Sequence, residues 1–144
     1  MEITGKCYCG NIRYRAEVDP EKISICHCTD CQILTGCAYR ISAHVSVDDF
    51  KLLSGEVKVY VKTADSGAKR VQAFCPECGT PLYAEALENP TIRSLRVGTI
   101  DQRANLPPRR QIWCRSALPW SENISGVVPK FDGQGSWAPE NQSV

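Results

Sequence analysis

Long apolar runs are missing from this 144-residue chain: none approaches the ~20 residues that a helical membrane span requires. The opening Met1-Glu2-Ile3-Thr4-Gly5-Lys6 holds no basic segment leading into an apolar one. A secretory leader is therefore not expected, and the reducing cytoplasm is the expected compartment. Excess charge is missing as well. Seventeen Lys and Arg stand against 16 Asp and Glu, a formal net charge of +1, which argues against a strongly basic protein that coats nucleic acid. Heptads, internal repeats and sustained helical periodicity are also absent, and no basic stripe with interleaved stacking aromatics is present.

Cysteine is what the chain has in excess. Nine occur, and in a reducing compartment clustered cysteines bind metal more often than they pair. Nine is odd, so a disulfide scaffold would leave one thiol over. Three of them, with a histidine, crowd into Cys26-His27-Cys28-Thr29-Asp30-Cys31. If seven of the nine are thiolates around two Zn²⁺, the net charge falls by three, to −2.

The hydrophobic pattern argues for a single all-β domain over residues 1–144, with short helical turns. Residues 6–18 alternate around Gly10-Asn11 as a hairpin does, and in extended structure Cys7 and Cys9 would share a face. Residues 22–26 read as a short strand that delivers Cys26, and residues 32–36 as one helical turn ended by Gly36. Residues 37–45 and 57–62 read as strands, and residues 47–53 as a turn. Residues 69–75 should run antiparallel to 57–62, with further short strands at 81–85, 92–97 and 110–114. From about residue 118 to 144 the composition turns to Pro, Gly, Ser and Asn. This is expected to be an irregular arm whose Trp120, Phe131 and Trp137 pack back on the sheet, with the last few residues frayed.

Cys75-Pro76-Glu77-Cys78-Gly79 is the strongest local metal signal. A CxxC knuckle followed by glycine lets two sulfurs meet one ion while backbone N–H groups donate to the thiolates. A redox CxxC needs a helix after it, and Gly79-Thr80-Pro81 does not continue as one. Closing a tetrahedral site takes four ligands, and Cys7 with Cys9 is the natural complement. Such a site would staple distant segments, with an apparent binding energy on the order of 10 kcal/mol. Cys26, Cys28 and Cys31 remain as a second set. Spacing leaves two readings: a three-thiolate site with one open position, or a closed site completed by Cys37, His27, His44 or Cys114. In a strand His27 would point away from Cys26 and Cys28. His44 reads as a surface or hydrogen-bonded histidine, and Cys114 as a buried apolar thiol. The arginines at 93, 96, 103, 109, 110 and 115 form a local basic excess, and a cleft lined by two or three would suit a carboxylate-bearing small molecule.

With these motifs in order the sequence resembles the glutathione-dependent formaldehyde-activating enzyme family, also called the centromere protein V family. Cys7-Tyr8-Cys9-Gly10 is similar to its CxCG opening, Cys26 to Cys31 to its CHCxxC core, and Phe74 to Gly79 to its FCxxCG knuckle. Val97-Gly98-Thr99-Ile100-Asp101 resembles its GTLD segment, and Leu118-Pro119-Trp120 the tryptophan that follows. The resemblance implies a mainly β, Mss4-like zinc-binding fold. It implies a structural zinc on Cys7, Cys9, Cys75 and Cys78, and a catalytic zinc on Cys26, Cys28 and Cys31 whose fourth position is open. The implied activity is that of a carbon–sulfur lyase that joins glutathione to formaldehyde. The implied partners are a small thiol such as glutathione and a small aldehyde, with neither nucleic acid nor membrane. Two positions depart from the pattern. Gln32 stands where the family commonly has arginine, and Cys37 where a small residue is usual. A rival reading from another class is a non-catalytic zinc-ribbon-like module that binds protein or nucleic acid.

Overall fold

The structure, a computed structural model, describes residues 1–137. In chain order the regular elements are β1 (Glu2–Lys6), β2 (Arg13–Glu17), β3 (Ile23–Cys26), α1 (Thr29–Thr35), β4 (Arg40–Ser46), β5 (Phe50–Ser54), β6 (Lys58–Thr63), β7 (Lys69–Phe74), β8 (Pro81–Ala86), β9 (Ile92–Arg96), β10 (Arg110–Ile112) and α2 (Ile124–Val127). The chain is mainly β, as its period-two alternation predicts. Strands β1-β2-β5 form one sheet, and β10-β3-β4-β9-β8-β7-β6 form a second of seven strands. Every pairing is antiparallel except β10 on β3.

Register divides the large sheet into two unlike faces, because directly paired residues point the same way. On one face Ile23, Ala43, Leu95, Tyr83, Ala73 and Val59 stand in successive strands. This face meets Ile3, Tyr14 and Ala16 of the small sheet to make the buried core. Phe50 of β5 bridges the two sheets, stacked on Tyr14 at 5.2 Å and edge-on to Tyr83 at 5.4 Å. The opposite face is polar. Cys26 is paired with Arg40, Ser42 with Arg96, and Gln72 with Tyr60 and Ala84. Helix α1 leaves the end of β3 and is tied to this face by Lys62 on β6, whose Nζ is 2.7 Å from Asp30 Oδ2.

The two sheets meet most closely at Gly5. A Cβ there would lie 2.2 Å from the Tyr14 ring and 2.7 Å from the Thr99 carbonyl oxygen. The absent side chain lets β1 approach residue 100 and leaves room for a 2.7 Å hydrogen bond between the Tyr14 and Thr99 hydroxyls. That bond is far from local in sequence and locks the small sheet to the turn after β9.

Several expectations are corrected. The N-terminal hairpin exists, but its first strand is Glu2–Lys6, so Cys7 and Cys9 lie in the connecting loop and not on one strand face. Residues 50–54, expected to be a turn, form β5; a 3₁₀ turn at Val47–Asp49 precedes them, and pairing with β2 overrides their poor alternation. Helix α1 starts at Thr29, so Cys31 is helical. The aromatics after residue 118 do not pack on the sheet. Trp120 is 58% exposed and lines a groove with Ile33 and Tyr39 beside α1, Phe131 is 56% exposed, and Trp137 is 97% exposed. The expected fraying falls on residues 138–144, which lie outside the described residues.

Candidate metal centres

Two loops that are 66 residues apart build the first cluster. Cys7 opens the β1–β2 loop, where its N–H donates to the Ile12 carbonyl and its sulfur accepts from the Ile12 N–H at 3.2 Å. Cys75 directly follows β7, and the knuckle turns back with the Gly79 N–H on the Cys75 carbonyl at 2.8 Å. Gly79 has φ +74°, which a side chain rarely adopts and which the tight turn requires. Thr80 ties the loops together: its hydroxyl accepts from the Tyr8 N–H at 3.1 Å and lies 3.1 Å from the Cys78 sulfur. Cys7 and Cys9 stand 3.6 Å apart, Cys9 and Cys75 3.8 Å, and all four sulfurs lie within 4.8 Å of one another.

This cluster is poised to ionise. The Thr80 hydroxyl and the backbone N–H groups of Cys9 and Thr80 bring the Cys78 thiol down to about 5. Burial opposes ionisation of Cys7, but the Ile12 N–H and the neighbouring thiols outweigh it and lower its pKa. Cys9 benefits from the Asn11 N–H, yet burial and the other sulfurs push it up to about 12. Such a split, with some thiols ionised and others donating to them, is how four sulfurs share one small volume. A cation would replace those shared protons.

The second cluster lies at the end of β3 on the polar face. Cys28 is the N-cap of α1, its sulfur accepting from the Cys31 N–H at 3.3 Å, while Cys31 sits in the first helical turn. The three sulfurs of Cys26, Cys28 and Cys31 lie within 4.8 Å of one another. Hydrogen bonding from Cys31, then from the Cys28 N–H and thiol, with a smaller contribution from the charge of Arg40 across the ladder, lowers Cys26 to about 5; Cys31, the donor, is raised. Four residues proposed to close this site stand elsewhere. Cys37 and Cys114 are exposed and outside the group, which corrects the buried thiol expected at Cys114. His44 is held between the hydroxyls of Ser24 at 2.7 Å and Ser94 at 3.1 Å. His27 is buried, its N–H on the Ile112 carbonyl and its Nε2 donating to Gln111 Oε1 at 2.7 Å, so it faces β10.

Gln32 has a task that the sequence did not reveal. Its side-chain N–H groups donate to the carbonyls of His27 at 2.8 Å and Ser116 at 3.0 Å, fastening the three-cysteine loop to the segment after β10. Of the two arginines near the site, composition singled out one. Of the arginines singled out by composition, Arg93 pairs with Glu85 and stacks over Phe50 and Tyr83, Arg109 pairs with Glu21, and Arg115 lies over Trp113. Only Arg96 turns inward, buried to 6% exposure. Its companion is Arg40, which composition did not single out; the alternation of β4 puts it on a face with Ser42 and His44 but cannot say which face meets the cysteines.

Two clusters of free thiols, one of four and one of three, on a small two-sheet β fold form groups that could each hold a metal ion. The model of the glutathione-dependent formaldehyde-activating enzyme family matches residues 2–116, and the chain belongs to that family, with an Mss4-like fold. An uncharacterized lyase of Schizosaccharomyces pombe is 34% identical over 82 residues, covering 57% of this chain and 56% of the relative. The chain thus matches about half the length of that relative. A crystal structure of a Rhodobacter sphaeroides protein shares the fold, with a TM-score of 0.58 at 18% identity over 75% of this chain and 98% of that one. No helix among the described residues is long and apolar enough to cross a membrane.

Proposed function

We propose that this chain is a zinc-dependent enzyme of the carbon–sulfur lyase type that joins a small thiol, glutathione being the named case, to formaldehyde or a related small carbonyl compound. The single domain would work in the cytoplasm, where its free thiols stay reduced. The observation that carries the reading is the three-sulfur cluster, with no fourth sulfur or imidazole in its group among the described residues. Cys7, Cys9, Cys75 and Cys78 would hold a structural zinc, and Cys26, Cys28 and Cys31 a catalytic one. Zinc bound to three cysteines supplies an open position at which a thiol is held as its thiolate beside a carbonyl carbon.

The chain's own groups support that chemistry. The Cys31 thiol beside Cys26 lowers its pKa to about 5, which favours the thiolate form that a metal ligand needs. The Cys31 N–H fixes the Cys28 sulfur, and Gln32 and His27 both fasten the loop to residues 111–116. Arg40 and Arg96 oppose the negative charge that three thiolates gather. In the reaction the thiol S–H adds across the C=O bond: a C–S bond forms and the proton ends on the former carbonyl oxygen, giving a hemithioacetal.

The test is zinc quantification on freshly purified protein, with proton NMR of glutathione and formaldehyde in its presence and absence. Two zinc per chain and faster adduct formation than the spontaneous rate are expected. One tightly held zinc with no acceleration would overturn the proposal in favour of a non-catalytic zinc-ribbon-like module.

A further inference from the structure

We propose that the cavity walled by Arg40, Arg96 and Gln72 is a carboxylate-binding subsite, which makes the three-cysteine centre selective for acidic thiols over neutral ones. This rests on the function proposed above and names the class of thiol it takes. The cavity encloses about 190 Å³ on the polar face, between Leu34 of α1 and Tyr60, Gln72 and Phe74 of β6 and β7. That is many times the space a single water needs, enough for a carboxylate on a short methylene stem.

No acidic side chain lines it. Arg40 and Arg96 belong to no ion pair among the described residues; those present join Glu17, Asp19, Asp30, Glu85 and Glu21 to other cations. Instead both guanidinium groups converge on one neutral acceptor. Gln72 Oε1 receives Arg40 Nη1 at 3.3 Å and Arg96 Nη2 at 3.1 Å. The residues paired across from Gln72 in the next two strands are Ala84 and Ser94, both small, which leaves the arginines room to reach it. Arg96 also donates to Ser42 Oγ and the Ser94 carbonyl, but its Nε is buried with no partner.

Two converging cations, one of them nine-tenths buried, share a single neutral oxygen, an arrangement costly to maintain unless an anion completes it. Guanidinium groups bind carboxylate in a forked geometry, which the single Gln72 oxygen does not supply. Arg40 faces Cys26 across the ladder, so a carboxylate held here belongs to a molecule whose sulfur is close to the cluster.

S-methylglutathione keeps both carboxylates of glutathione but has no free thiol, so it reads the subsite apart from the chemistry. Titration calorimetry on the zinc-loaded full chain should show it binding, its diethyl ester binding at least tenfold more weakly, and Arg40→Gln weakening the acid alone. Gln72→Glu places a carboxylate between the arginines. It should abolish binding of the acid while raising thermal stability, which separates an occupied subsite from a failure to fold. In turnover, Arg40→Gln should raise the KM for glutathione at least tenfold more than it raises that for 2-mercaptoethanol. Equal binding of acid and ester, no binding of the acid by the wild type, or unimpaired binding by Gln72→Glu would each overturn the subsite. Loss of turnover with every thiol, with acid binding intact, would overturn the enzymatic reading and leave the subsite standing.

Discussion

Cys28 caps α1 through its sulfur, and serine is among the best residues for that position. Cys28→Ser should therefore keep the cap and the fold while losing the soft ligand. Unchanged circular dichroism with one zinc equivalent gone is the expected outcome, and an unfolded variant would show that the three-cysteine cluster is structural. Cys75 is the opposite case, fully buried where two loops meet. Cys75→Ser should unfold or aggregate the protein, as loss of its solubility or its cooperative melting would show. Cys37→Ala should leave zinc content unchanged, because that thiol is exposed and outside both clusters. His44 gives a pH signature. Burial, then the positive charge of Arg110, Arg70, Arg96 and Arg40, lowers its pKa below 6.5. Between 6.5 and that lower value the unfolded chain binds the proton that the folded one resists, so stability falls as pH drops through this window. Wild-type protein should lose more melting temperature from pH 7.5 to 5 than His44→Gln does; parallel curves would contradict this.

At the scale of elements, the tightest fit is β1 against Tyr14 and the turn after β9. Gly5→Ala must displace the Tyr14 ring or the Thr99 carbonyl. It should cost about 1–3 kcal/mol, the usual range for overpacking, measurable by urea denaturation. Which elements the sequence revealed follows from how local their causes are. The knuckle at Cys75 and Cys78 was legible because its chemistry, turn and glycine lie within five residues. Strands β6 and β7 were legible from alternation, and their antiparallel pairing from the short Ser66-Gly67 turn. Strand β5 was not, since Phe50-Lys51-Leu52-Leu53 has weak alternation and becomes a strand by pairing with β2. The Arg40–Gln72–Arg96 junction was not, because its members come from three strands, 24 to 56 residues apart. Nothing near any one of them shows the other two.

For the molecule as a whole, the two clusters should part with metal differently. The four-cysteine cluster joins the loop after β1 to the turn after β7, so its loss should undo the packing of both sheets. The three-cysteine cluster caps one helix on an outer face. A mild chelator should remove one zinc equivalent without changing the circular dichroism, and the second should leave only as the protein unfolds, followed by a colorimetric zinc assay. Simultaneous loss of both would contradict the division. The fastening of the three-cysteine loop to residues 111–116 also sets an order in time. On a ribosome, every sulfur of the four-cysteine cluster has been made by residue 78, and Thr80 follows at once. The partners that hold Cys26, Cys28 and Cys31 in place, namely Gln111, Ile112 and Ser116, are synthesised more than thirty residues later. A growing chain thus has all four sulfurs of the staple while the other three, made earlier, still lack the contacts that hold them in place.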